Sequence, residues 1–337
     1  MHRPLLLRGA RQLLTLRGPE GPRRGAACLD LGIINDGSVL IRDGRIVSVG
    51  QSRRVDNLAE ASHALVYEAH GAVVMPGFVD ANAALPENAS HVRRLLALAF
   101  SHGSTTIGGR ASYAMLRTLA AAESHGAFLV PALEIESGFD DAQINRAVRR
   151  NLAQFLRLDL LAHPRSALHF FHSLGPAIRA YTASPANPDW IGLALAYGAS
   201  TLDIAAPLDR AQVALLSDSP ACIIVTPASA SSARGLIDRH AAVALGSGFA
   251  ANAGATCSMQ QAALLAVRDG GLDIAEAITL ATINAAHALG VAGVCGSLEA
   301  GKRANVLMLH LSDFRDLANY NGVNVVSKIF QAGTLVS

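Results

Sequence analysis

The side chains best able to do chemistry in this chain are a few imidazoles and carboxylates lying in apolar runs. Ala167-Leu168-His169-Phe170-Phe171-His172 carries two histidines three residues apart, and Thr201-Leu202-Asp203-Ile204 carries an acid. Such donors suit zinc or iron, and a bound metal would polarise a carbonyl and lower the pKa of a water. Histidine titrates near neutrality, so His172 is also a candidate proton shuttle. Against a metal pair, i and i+3 do not share one face of a strand, and a histidine in an apolar run is more often a satisfied core group. Gly246-Ser247-Gly248 hints at a phosphate loop but lacks the later glycine of GxGxxG and the lysine of a P-loop. Cys28, Cys222, Cys257 and Cys295 lie far apart with no CxxC pair, which argues against a zinc knuckle or a disulfide framework and suits a reducing cytoplasm. Cys257 reads as core rather than nucleophile, and Ser229 to Ser232 as loop.

The totals bound the architecture. A chain of 337 residues, 51% hydrophobic and 16% charged, can bury a large core and belongs among compact globular proteins. The net charge of +2 is spread over scattered arginines, and the cluster Arg17 to Arg24 contains Glu20, a solvated turn rather than a nucleic-acid footprint. The start lacks an apolar run long enough for a signal peptide, and the longest uncharged apolar run, Trp190 to Leu202, is too short for a bilayer. The expectation is a soluble cytoplasmic protein with neither a nucleic-acid nor a membrane partner.

The elements that must position the candidates alternate in type. Leu5–Leu7, Ser38–Ile41 and Arg45–Val49 are strand-like, with turns at Asn35-Asp36-Gly37 and Asp43-Gly44. Strands so short need partners, which Val306–Leu309, Val323–Gln331 and Thr334–Val336 can supply. A small β-sandwich built from both termini, 1–73 and 297–337, follows, with 74–296 inserted in it. The insert reads as eight strands: Val73–Val79, Thr105–Gly108, Ala127–Leu133, Leu158–Leu161, Leu168–Phe171, Thr201–Ile204, Cys222–Thr226 and Ala242–Gly246. Helices are expected over His91–Ser101, over Asp141–Leu156 with Ile144, Val148, Leu152 and Phe155 on one face, and from Asp273 to Leu289. This pattern is an α/β, (β/α)8 TIM-like barrel, possibly trimmed because the insert is short. Its active site belongs at the carboxyl ends of the strands, where Val74-Met75-Pro76-Gly77-Phe78-Val79 delivers Asp80 to Ala84.

That stretch resembles the first barrel strand of the amidohydrolase superfamily, in which PGFVD is followed by a metal-binding His-x-His. Gly9 to Gly18, Leu31-Gly32-Ile33-Ile34, Thr282-Ile283-Asn284-Ala285-Ala286-His287-Ala288-Leu289-Gly290 and Gly296 to Asn305 are similar to the imidazolonepropionase family. The resemblance covers nearly the whole chain and thins between Ala84 and Ser200. It implies a mononuclear metal hydrolase that opens a cyclic amide, with four protein ligands and a general-base glutamate. Position by position, those groups are replaced. Asn82 and Ala84 stand where the first two ligands belong, His169 is assigned to the third, and Gly248 replaces the ligand aspartate. His172 takes the place of the glutamate, Asp203-Ile204 that of an Asp-His pair, and Ala132 that of a substrate-side histidine. Arg110-Ala111-Ser112-Tyr113 resembles a substrate-binding Lys-Ser-Gly-Tyr, so Arg110 and Tyr113 are the surviving pocket candidates.

Two functions remain open. One is a pseudoenzyme without a cofactor that binds a small molecule, or serves as a regulatory or structural subunit in a homodimer or beside an active relative. The Ala- and Gly-rich run to Gly254 would then close over a metal-free pocket. The other is an amidohydrolase still cleaving a cyclic C–N bond, as in histidine degradation, with zinc or iron relocated to His169, His172 and Asp203.

Overall fold

The computed structural model describes residues 3–120, 127–135, 140–162, 165–182, 187, 189–250 and 256–336. Strands β1 (Leu5–Leu14), β2 (Ile33–Arg42), β3 (Arg45–Gln51), β4 (Leu65–Glu68) and β5 (Val73–Pro76) come first. Next come β6 (Phe78–Ala84), β7 (Ser104–Ala111), β8 (Phe128–Ile135), β9 (Phe155–Asp159), β10 (Ala177–Tyr181), β11 (Thr201–Ile204), β12 (Cys222–Val225) and β13 (Ala242–Leu245). The chain returns through β14 (Val306–Leu309), β15 (Val326–Gln331) and β16 (Thr334–Leu335).

The first five and last three strands form one mixed sheet in the order β16-β15-β14-β5-β1-β2-β3, with β4 also pairing β1. The two ends of the chain meet where β14 runs antiparallel to β5, Val306 opposite Pro76. The β2–β3 hairpin turns at Asp43-Gly44, both at positive φ, as a two-residue turn matched to strand twist demands. The expected turn at Asn35-Asp36-Gly37 lies inside β2 instead, whose pairing with β1 shifts register nearby, between Leu7 and Ala10.

The strand expected over Val73–Val79 is two strands in two sheets. Gly77 lies between them, and a Cβ there would fall 2.1 Å from the Thr105 hydroxyl, so only glycine permits the crossing. From Phe78 onward the chain builds the second sheet, β6 through β13 in sequence order and all parallel. The ring closes just beyond β13. Ala83 bridges Phe249 in parallel, the Gly248 N–H donates to the Asn82 carbonyl at 2.9 Å, and the Ala84 N–H donates to the Phe249 carbonyl at 2.8 Å. An eight-stranded barrel is therefore complete despite the short insert.

Two barrel strands sit elsewhere than expected. Leu168–Phe171 belongs to the helix Arg165–Ser173, and the fifth strand is β10. The fourth, β9, begins at Phe155, which stops the preceding helix at Arg149. The helix Ala89–Ser101 starts where Asn88 accepts from the N–H groups of Ser90 and His91. Asp273 and Glu276 form the expected capping box, but its helix ends at Leu280 and a second runs Ile283–Ala288. The outward side chains of the strands, among them Leu156, Leu158, Ile178, Leu202, Ile223 and Val243, pack on the surrounding helices. Burying each such side chain stabilises by roughly 1.5–3 kcal/mol. Among the described residues no helix is long and apolar enough to cross a membrane.

Candidate functional site: an arginine–carboxylate cluster in the barrel

Side chains alternate along a strand, so residues between the helix-facing ones point into the barrel. On β9 to β11 the helix-facing set is Leu156, Leu158, Ile178, Ala180, Leu202 and Ile204, which turns Arg157, Arg179 and Asp203 inward. Register brings them together, since Glu134 of β8 pairs with Arg157 and Arg157 with Arg179. Both Asp203 oxygens are held. Arg157 Nε donates to Oδ2 at 2.7 Å, while Arg179 Nε lies 2.8 Å from Oδ1 and 3.0 Å from Oδ2. Arg179 Nη2 adds an ion pair to Oδ1 at 2.7 Å. Arg157 Nη1 also pairs with Glu134 Oε1. Arg110 of β7 extends the chain, its Nη1 3.4 Å from Glu134 and its Nε donating to Asn82 Oδ1 at 3.3 Å. The Arg157 guanidinium lies 3.6 Å over the Tyr181 ring, a cation–π contact.

Charge balance sets the ionisation of these groups. Burial would raise the pKa of Asp203, but Arg179 and Arg157 outweigh it and hold the carboxyl below its ordinary range. Burial would lower the pKa of Arg157, but Asp203 and Glu134 hold it above the usual value. Arg110 shows the reverse, lowered by burial and by Arg157, with Glu134 compensating only in part. Asp80 is raised by burial despite accepting from the N–H groups of Asn82 at 2.9 Å and Ser247 at 2.8 Å. Arg179 Nη1 and the hydroxyl of Thr201, its register partner, are buried without a hydrogen-bond partner among the described residues.

The structure separates the candidates read from sequence. Asp203 and Arg110 belong to the cluster, and Asn82 touches it through Arg110. Ala132 lines the apolar floor of the barrel interior with Val79, Ala81 and Val130. Tyr113 begins the helix Tyr113–Ala120 and packs half-buried against the helix-facing core. His169 and His172 are not at the site. Both are exposed on the helix Arg165–Ser173, where His169 meets the Tyr197 ring edge-on at 5.7 Å between centroids. The third-ligand assignment to His169 is thereby corrected, because the true fifth strand is β10, which turns Ala177, Arg179 and Tyr181 inward and carries no histidine. The general-base place assigned to His172 falls with it. Gly248 has φ +64° and lies 2.9 Å, measured from a built Cβ, from the Thr226 Cβ. Residues 251–255, in the run expected to close over the pocket, lie outside the described residues. Ser229 is no surface loop. It is buried in a short 3-10 helix and donates to the Ile204 carbonyl at 2.6 Å.

These donors do not fit a metal ion. Asn82, Ala84, Arg179 and Gly248 offer no imidazole or carboxylate, and the two acids of the cluster are already engaged, Asp203 with both oxygens on guanidiniums and Glu134 paired to Arg157 and Arg110. Among the described residues no three His, Cys, Asp or Glu side chains converge as a metal site would need.

A closed parallel barrel threaded through a mixed sheet from both termini, with its polar cluster inside the strands, defines an amidohydrolase-type architecture. Residues 192–336 match the pattern of the Amidohydrolase family. The imidazolonepropionase of Deinococcus radiodurans is 31% identical over 402 aligned positions, covering 97% of this chain and 98% of its own. That of Solibacter usitatus is 29% identical over 413 positions, covering 98% of each. The chain belongs to the amidohydrolase family, and its full-length relatives include these imidazolonepropionases. Solved structures share the fold. Molinate hydrolase superposes with a TM-score of 0.77 at 14% identity, covering 99% of this chain and 95% of its own. Guanine deaminase from E. coli superposes at 0.74 with 16% identity, covering 100% and 99%.

Glu134, Arg157 and Arg179 escaped the reading of the sequence. The available signal was the alternation of Arg157 and Asp159 with Leu156 and Leu158, and the single arginine in Ala177-Ile178-Arg179-Ala180-Tyr181. That is the period of a strand with one polar face.

Proposed function

We propose that this is a metal-independent, imidazolonepropionase-like barrel that binds a small acidic molecule instead of hydrolysing a cyclic amide. The observation that carries the reading is the guanidinium of Arg179, turned into the barrel on the fifth strand and ion-paired to the buried Asp203. A guanidinium supplies positive charge to a site but offers no Lewis acidity and no water of lowered pKa. Three arginines face two carboxylates, Glu134 and Asp203, in the connected cluster, and the orphaned Arg179 Nη1 and half-buried Arg110 have capacity for one more anion. We place the protein in the cytoplasm, as a small-molecule-responsive subunit that pairs with itself or with an active relative.

A second reading, an active C–N hydrolase of a compound such as imidazolone propionate in histidine degradation, is favoured by the names of the full-length relatives. One measurement separates the two. The untagged protein is purified after growth with added zinc and iron and its metal content read by elemental mass spectrometry. Metal well below one equivalent is expected. Near-stoichiometric zinc or iron overturns the proposal and returns the search to hydrolysis.

A further inference from the structure

Among the described residues three arginines are buried: Arg23, Arg157 and Arg179. Arg157 and Arg179 are ion-paired to carboxylates. Arg23, only 4% exposed, has no carboxylate within ion-pair distance among the described residues. Its Nη2 donates to the Arg17 carbonyl at 3.0 Å, and its Nη1 is buried without a hydrogen-bond partner among the described residues. A buried arginine is rare unless paired, and a buried donor left unmade carries its desolvation penalty in full. Burial pulls its pKa down, with Asp30 offsetting only part of the effect.

The position is held firmly. Asn284, itself fully buried, accepts from the Arg23 N–H at 2.8 Å and returns a bond from Nδ2 to the Arg23 carbonyl at 2.9 Å. The same Nδ2 bonds the Val243 carbonyl of β13 at 2.7 Å, tying the segment to the barrel wall. Arg24 next door donates to the carbonyls of His240 and Ser219, which precede β13 and β12. Arg23 therefore sits at the amino ends of the strands, the face opposite that of the carboxyl ends where this fold keeps its active site.

There it lines a cavity of about 210 Å³ together with Gly18, His287 and Lys302, over the apolar floor of Leu16 and Ile283. The volume is far above what one water needs. Two acids also line it, and neither is ion-paired to Arg23, though the charge of Glu299 acts on it from a distance. Glu299 is held by Lys302 at 2.9 Å and by the Ser297 hydroxyl at 2.6 Å, and Glu20 is exposed at the lip. His287 is kept neutral by burial and by Lys302, so it offers a donor to an anion and can take up a proton when one binds.

We infer that this cavity is a binding site for a small oxyanion of the phosphate type, received by Arg23 with His287 and Lys302 around it. The site is separate from the arginine–carboxylate cluster and does not depend on the function proposed for it. An anion here would join segments flanking the terminal sheet, which supply Leu16, Glu299 and Lys302, to the helix Ile283–Ala288 against the barrel, which supplies Ile283 and His287, and so bind the folded state alone.

The probe is inorganic phosphate, titrated calorimetrically into the full-length protein, with chloride at matched ionic strength as control. Saturable one-site binding is expected, with thermal unfolding shifted upward as phosphate rises. Arg23→Gln keeps the backbone clamps to Asn284 and should weaken phosphate at least tenfold. Should that variant fold poorly, Gly293→Glu serves. A Cβ at Gly293, on the cavity wall, meets nothing within 4 Å, so an anionic side chain fits and should abolish binding by repulsion. No saturable phosphate binding overturns the inference. So does binding that both variants retain, and binding lost in Arg110→Gln but not in Arg23→Gln would move the anion to the barrel cluster and overturn it equally.

Discussion

Replacing Arg179 by methionine tests whether the cluster is an integral charge device or an incidental contact. The guanidinium makes bonds of 2.8 and 3.0 Å from Nε and an ion pair of 2.7 Å from Nη2, all to Asp203, with both side chains 3% exposed or less. Breaking a buried pair from one side costs about 3–5 kcal/mol, because the other charge is left uncompensated. Asp203 would keep the 2.7 Å bond from Arg157, so the loss belongs at the low end, about 3 kcal/mol. A domain stable by about 5–15 kcal/mol survives that, and urea unfolding followed by circular dichroism measures it. The pH dependence has a definite sign. Asp203 has a depressed folded-state pKa, so its stabilisation is complete above the unfolded aspartate value of about 3.9 and is lost as pH falls through the lower folded-state value. The deficit of Arg179→Met is therefore largest at pH 7 and narrows towards pH 4, as the carboxyl freed from Arg179 takes up a proton. Asp203→Asn in the same background should cost less than the sum of the two single losses, since each removes what the other needs. A deficit below about 1 kcal/mol, one that does not change with pH, or strict additivity would each refute the reasoning.

Other sites give simpler tests. Gly248→Asp, which puts a carboxylate beyond the eighth barrel strand, forces a side chain onto φ +64° and within 2.9 Å of Thr226, and should cost about 1–3 kcal/mol without conferring metal binding. A variant as stable as the parent, or one that takes up zinc, would contradict this. His169→Ala and His172→Ala together should shift stability by no more than about 0.5 kcal/mol, both being exposed; a larger loss in the urea midpoint would show a buried role for the pair. Burial pushes the thiols of Cys28 to about 11 and Cys222 to about 12, so iodoacetamide at pH 8 should label half-buried Cys257 first. Mass spectrometry finding Cys28 or Cys222 labelled as fast as Cys257 in the folded protein would count against that burial.

The residues that announced the fold and those that make the site were legible to different degrees, and for one physical reason. The Asp43-Gly44 turn and the Asp273 cap depend on local chemistry, so their sequence is enough to place them. Cys222–Val225 and Ala242–Leu245 are apolar on both faces and read as buried strands. Leu168-His169-Phe170-Phe171 carries the same aromatic, apolar signature and was read as the fifth strand, yet it lies in a helix on the barrel's outside. The true fourth and fifth strands looked poor because each buries an arginine, which composition assigns to the surface. That assignment holds only for an unpaired charge. Arg157 and Arg179 are buried because Asp203 and Glu134, from strands on either side, meet them inside, and no local window contains both halves of such a pair. Inside the barrel the positive charge beside Asp203 is supplied by Arg157 and Arg179, from strands four and five. Reading the site from sequence therefore required knowing which strand was fifth, and that was obscured by the arginine that now occupies it.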